Sequence, residues 1–209
     1  MKKTIFMLLA AMVMTISMVS CSKCSHKEEP KTVETTTTKI TKTDKAHMDS
    51  IDNGYQHFET MYVFEGNVDT LSTPNIVEVQ NVFQTINAET KEPTVYISNH
   101  FLAADKDSVA WDVKVGAFWM EDLNLRIYNV CLSVEDAFAQ LQKANIKKPQ
   151  SKYCVLRAQL GPKVCNAQYI FGNDKYGIVF VDAVNGKVTD KNPVFENSIV
   201  LRTDSLIKE

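Results

Sequence analysis

The run Leu132–Val188, LSVEDAFAQLQKANIKKPQSKYCVLRAQLGPKVCNAQYIFGNDKYGIVFVDAVNGKV, carries the clearest order in the chain. Ser133 is placed to cap a helix. Its hydroxyl oxygen can accept an orphan backbone N–H, and Glu135 and Asp136 sit in the first turn, where the helix dipole favours negative charge. Val134, Ala137, Phe138, Leu141 and Ala144 recur at spacings of three and four and make one apolar face, with Glu135, Gln140, Gln142 and Lys143 opposite. Lys147, Lys148 and Pro149 end the helix, because the residue before a proline is pushed out of the α region. Three strands are predicted next, Tyr153 to Leu160, Val164 to Phe171 and Tyr176 to Val184, with turns at Gly161-Pro162 and at 172–175. Asn185-Gly186 is a strong hairpin signal before Lys187 and Val188.

The order of a Leu-Ser-x-Glu-x-Ala helix, a tyrosine-rich hairpin and the close Val181-Asp182-Ala183-Val184-Asn185-Gly186-Lys187-Val188 resembles the PepSY domain. That family occurs in the propeptides of thermolysin-type peptidases and in bacterial envelope proteins. The resemblance implies a helix packed on a curled antiparallel sheet and an inhibitory or regulatory role toward a peptidase or another exported protein.

Upstream, the same order is expected again. Tyr55 to Asn67 alternates as an entry strand, and Thr73 and Pro74 suit the cap and first position of a helix whose apolar face is Ile76, Val79, Val82, Phe83 and Ile86. Strands are predicted at Thr94 to Leu102, Val109 to Val115 and Ala117 to Ile127. An offset of about 61 residues superposes Leu71-Ser72 on Leu132-Ser133, a period that points to an internal repeat. The expected fold class is therefore α+β, a helix packed on an antiparallel sheet, as two tandem helix-plus-three-strand halves at 53–130 and 131–209. The bland alternative is one α+β domain whose parts share element order. A last strand is predicted within 196–207. Tandem repeats of this kind resemble β-lactamase inhibitory proteins, in which a concave sheet face grips an enzyme.

The N-terminus reads as an address. Lys2 and Lys3 precede the apolar run Ile5 to Val19, about 15 residues, too short to span a bilayer and typical of a secretory signal. Met18-Val19-Ser20-Cys21 resembles a bacterial lipobox. This resemblance implies a signal peptide over 1–20 and acylation of Cys21, palmitate included, which anchors the chain to the membrane. Cys21 and Cys24 form a C-x-x-C whose first member lipidation would consume. Residues 21–52 are expected to be a lipidated coil, with the threonine run Thr35 to Thr38 and little to bury. Lys27-Glu28-Glu29 faintly resembles a surface-export signal of Bacteroidetes lipoproteins. Four Asp-Ser/Thr-aliphatic triplets, at 49–51, 69–71, 107–109 and 204–206, resemble the glycosylation sites of exported proteins in that phylum.

Chemistry is harder to find. The formal net charge of −2 gives no basic face for nucleic acid. His26, His47, His57 and His100 fall into no metal-ligand spacing, and neither G-x-S-x-G nor S-x-x-K occurs. No cofactor is expected. An oxidising envelope permits a disulfide among Cys131, Cys154 and Cys165 and leaves one over; buried free thiols are the default. In the predicted hairpin Cys154 faces about Tyr169. Trp111, Phe118, Trp119, Tyr169, Phe171, Tyr176 and Phe180 are either core or a stacking platform. Phe118 and Trp119, adjacent on a predicted strand, point to opposite faces and mark the candidate binding surface. Three readings follow: a non-enzymatic envelope binding module acting on a protein partner, a carbohydrate or small-ligand lipoprotein, and, last, an envelope enzyme.

Overall fold

The computed structural model of the chain describes residues 35–103, 106–119, 126–159 and 165–194. The elements are α1 (Thr36–Ile51), β1 (Gln56–Phe64), β2 (Ile76–Ile86), β3 (Pro93–Ala103), β4 (Lys106–Val115), α2 (Val134–Lys143), β5 (Tyr153–Arg157), β6 (Gln168–Asn173), β7 (Gly177–Asp182) and β8 (Val188–Thr189). The strands form one eight-stranded sheet in the order β4-β3-β2-β1-β5-β6-β7-β8, every pairing antiparallel.

This overturns the expected fold class. There are not two helix-plus-three-strand halves but one predominantly β sheet carrying two short helices. The first predicted strand, β1, sits inside the sheet, paired with β2 on one side and β5 on the other. The predicted helix at 73–86 is strand β2. Its apolar residues fall at helical spacing because the strand is covered on both faces. Val79, Asn81 and Phe83 point to the side that carries α1, while Val82 and Gln84 are buried on the other. A strand buried on both sides loses its alternation, and the β-branched content of Ile76-Val77-Glu78-Val79 then decides for strand. Without a helix there, the 61-residue repeat has no structural counterpart.

Helix α2 begins where predicted and ends at Lys143 with Ala144 as its C-cap, before the expected stop at Lys147-Lys148-Pro149. The Ser133 hydroxyl accepts from the Asp136 N–H, and the Asp136 carboxylate reaches back to the Ser133 N–H, closing a capping box. Val134, Ala137, Phe138 and Leu141 are buried against the sheet. Phe138 meets Phe64 and Phe171 at ring-centroid distances of 5.6 and 6.4 Å, the centre of the main apolar cluster. Aromatic burial of this kind makes Phe138→Ala costly by about 3–5 kcal/mol.

Helix α1 occupies the second part of the stretch expected to be a coil. Thr35 caps it, its hydroxyl accepting from the Thr38 N–H. The face turned to the sheet is Thr37, Thr41, Asp44 and Met48, a helical stripe that is largely polar. Of the strands predicted after α2, the first ends at Arg157 and the second begins only at Gln168, so Cys154 faces Phe171 and not Tyr169. Gly186 keeps the expected turn, with φ of 74°. Residues 117–119 and 126–127 are irregular and not strand, while 120–125, the predicted strand within 196–207 and the lipobox at Cys21 lie outside the described residues.

Candidate functional site

Beneath α1 the sheet carries polar side chains where a core would ordinarily be apolar. Asp44 is buried, and its carboxylate accepts from the Asn81 amide at 2.6 Å, from the Ser98 hydroxyl at 2.5 Å and from His100 Nε2 at 2.9 Å. The register makes this possible: Thr60 lies opposite Asn81, and Asn81 opposite Ser98, so one row of three strands faces one turn of the helix. A buried carboxylate is tolerated only when its lone pairs are used, and here three donors from two strands use them. Ser98, Asp44 and His100 are the residue types of a hydrolase relay, but the serine and the histidine each bond the carboxylate and not each other. The arrangement fixes α1 and leaves no activated hydroxyl.

The network continues toward β1. The Thr60 hydroxyl donates to Asn81 Oδ1 at 2.7 Å, and His57 Nε2 lies 2.9 Å from that hydroxyl and 3.1 Å from the Glu59 carbonyl. Since a carbonyl can only accept, Nε2 carries the proton and Nδ1 is the lone-pair nitrogen. That Nδ1 is buried without a partner. Burial, reinforced by the charge of Lys45, pushes the His57 pKa down to about 3, against weaker opposing effects of the Glu59 carbonyl and Asp44. His57 is thus a neutral imidazole at ordinary pH.

His57 lines a cleft of about 260 Å³. One wall is the polar flank of α1: Thr37, Thr38, Thr41, Lys42 and Lys45. The floor is Thr60, Tyr62, Leu156 and Tyr169 of the sheet, and the far wall is the backbone run 130–134 leading into α2. Tyr169 donates to the Leu132 carbonyl at 2.7 Å and so holds that wall in place. Tyr62 and Tyr169 stand 6.2 Å apart, ring centroid to centroid, both phenols held neutral by burial. Burial also lowers the Lys45 pKa, an ammonium partly stripped of water. The Thr37 hydroxyl donates to Glu135 at 2.8 Å, joining the two helices. A small chamber lined by hydroxyl-bearing residues, two lysines and a neutral imidazole can hold a polar molecule by hydrogen bonds.

The sequence-predicted surface divides. Phe118 is exposed, whereas Trp119 packs on Val82, Val95 and Ile97 and donates its backbone N–H to Gln84. The two are therefore not one patch. Trp111 lies against the His47 ring at 4.6 Å. Cys154 is a buried free thiol, the default expectation, while Cys131, at the cleft wall, is in a disulfide, which that expectation permitted. Among the described residues no three His, Cys, Asp or Glu side chains converge as for a metal ion. The cleft residues escaped sequence reading because Thr37, Thr41, Lys45, His57 and Thr60 form no motif in one dimension. The one available signal was the recurrence of Thr37, Thr38 and Thr41 at the three- and four-residue spacing of one helical face.

No protein family, curated protein or solved structure matches the chain.

Proposed function

We propose that the chain is a non-enzymatic, lipid-anchored binding module of the cell envelope, with a small hydroxyl-bearing ligand, a sugar or similar polyol, held in the cleft under α1. The carrying observation is the lining itself. His57 lines the cleft together with Thr38, Thr41, Lys45 and Tyr62, and its buried Nδ1 has no hydrogen-bond partner in the protein. An unpaired buried acceptor destabilises a fold by about 1–3 kcal/mol, and a ligand O–H that reached it would recover that energy. The envelope address rests on the lipobox resemblance at Cys21. The test is a thermal-shift and calorimetric screen of mono- and disaccharides, polyols and sugar acids against the native protein and a Thr41→Val/Lys45→Ala variant. A compound that stabilises the native protein and fails on the variant supports the reading. If every compound leaves both melting curves unmoved, the cleft is a packing defect and the reading falls.

The protein-partner alternative, in which the module regulates a peptidase or other exported enzyme, is favoured by one feature. Phe118, Tyr128 and Val130 are each well exposed, and Val130 lines the cleft. Loss of an enriched partner in cross-linking on Phe118→Ala and Tyr128→Ala would separate it from ligand binding.

A further inference from the structure

Strand β4 is one edge of the sheet, and among the described residues nothing pairs with its outer side. The direction of its backbone groups follows from the ladder. The Gly116 N–H donates to the Pro93 carbonyl at 2.8 Å, and the β3–β4 register continues from there without a shift. Hydrogen-bonded and non-bonded pairs alternate along an antiparallel ladder. Ser108, Ala110, Asp112 and Lys114 therefore turn their N–H and C=O groups toward β3, while Val109, Trp111, Val113 and Val115 turn theirs to the free edge.

The side chains of those same residues form one row on the α1 side of the sheet, since Trp111 lies opposite Ser98. Val109, Val113 and Val115 are 52%, 48% and 70% exposed. A free edge whose outward hydrogen-bonding residues also carry exposed valines is a template for another strand.

We propose that β4 pairs with β4 of a second copy of this chain, antiparallel about a two-fold axis at Trp111. The occupant follows from the strand's own sequence. A symmetric antiparallel pairing must bring odd-numbered residues opposite odd-numbered ones, which allows two-folds at Ala110, Trp111 or Asp112 for the longer ladders. A two-fold at Ala110 sets positions 106 and 114, both lysine, opposite each other. A two-fold at Asp112 sets two aspartates opposite each other. Like charges directly opposed destabilise a ladder. The two-fold at Trp111 opposes none: Lys114 meets Ser108, Asp112 meets Ala110, and Val109 meets Val113 on both sides of Trp111. The valine row then runs on unbroken from one copy into the next, and two eight-stranded sheets join as one. The interface is isologous and closes at two copies.

The test uses the full-length protein in detergent, its molar mass followed by light scattering across protein concentrations up to about 100 μM, where weak edge pairings become populated. A dimer is expected, with Val113→Pro shifting it toward monomer by at least about tenfold in dissociation constant. Proline at position 113 removes an outward N–H and leaves the β3 ladder whole. Register is read by a mixed cross-link: Ala110→Cys protein oxidised with Asp112→Cys protein should give the mixed disulfide far faster than either forms with itself, because only the mixed pair is directly opposed. A monomer at every concentration overturns the proposal. So does a dimer that Val113→Pro leaves intact or, should that variant misfold, a cross-linking pattern with no preference for the mixed pair.

Discussion

The Asn81 side-chain amide meets the Asp44 carboxylate at 2.6 Å, one buried hydrogen bond joining α1 to the second strand of the sheet. Asn81 is fully buried and accepts at its other end from Thr60, so it relays one hydrogen-bond chain from the helix to β1. Asp44→Ala would leave the donors of Asn81, Ser98 and His100 without their acceptor at once. Removing one partner of a buried charged network costs about 3–5 kcal/mol. Urea unfolding of Asp44→Ala should show a loss of that size. A change under about 1 kcal/mol would mean that water replaces the carboxylate and α1 is not held by it.

His57 predicts an acid limb to the stability curve. Its pKa is about 3 in the folded chain and about 6.5 when unfolded, so between those values the unfolded chain binds the extra proton. The contribution is whole above about pH 6.5 and is lost as pH falls toward about 3, at roughly 1.4 kcal/mol per pH unit. His57→Gln keeps a side-chain donor for Thr60 and the Glu59 carbonyl and does not titrate. The difference in unfolding free energy between native and His57→Gln protein should therefore shrink by about 3 kcal/mol from pH 7 to pH 4. Parallel curves for the two proteins would contradict a buried, neutral imidazole.

Two glycines in the β6–β7 hairpin make a controlled pair. Gly172 and Gly177 both have positive φ, 93° and 86°. A Cβ at Gly172 would sit 2.0 Å from the Gly177 carbonyl oxygen and 2.6 Å from the Pro149 side chain, whereas one at Gly177 meets nothing within 4 Å. Gly177→Ala should cost only the backbone term, about 1–2 kcal/mol. Gly172→Ala adds a collision with backbone and should cost about 4 kcal/mol or more, or prevent folding. Equal melting temperatures for the two variants would show that the hairpin has room to move.

What the sequence made readable divides by whether a signal is local. The Ser133 cap, the apolar stripe of α2 and the Asn185-Gly186 turn are decided by residues within a few positions, and all three hold. Strand β2 was misread because Val82 is buried by Trp119, distant in sequence, so its second apolar face looked like helical periodicity. Helix α1 was hidden for the opposite reason. Its buried stripe is threonine and aspartate, whose burial is intelligible only once Asn81, Ser98 and His100 are seen on the sheet below. The cleft inherits that difficulty, since its walls come from α1, the sheet and the run before α2. Of the two adjacent aromatics, Trp119 packs on Val82, Val95 and Ile97, and Phe118 is the exposed one.

The position of β1 also governs how the chain finds its fold. Met61 pairs with Gln80 on one side and with Val155 on the other, so the sheet's two arms meet on a strand made before either. Joining β1 to β5 closes a loop of roughly 90 residues, a far more entropically costly encounter than any hairpin in the chain. During synthesis β1, β2, β3 and β4 can assemble first, and the far edge of β1 then waits unpaired until β5 arrives. That waiting edge is the exposed, aggregation-prone moment of this protein's life. Folding should be limited by the β1–β5 encounter, and a cut between 130 and 131 should yield fragments that recover the sheet only together.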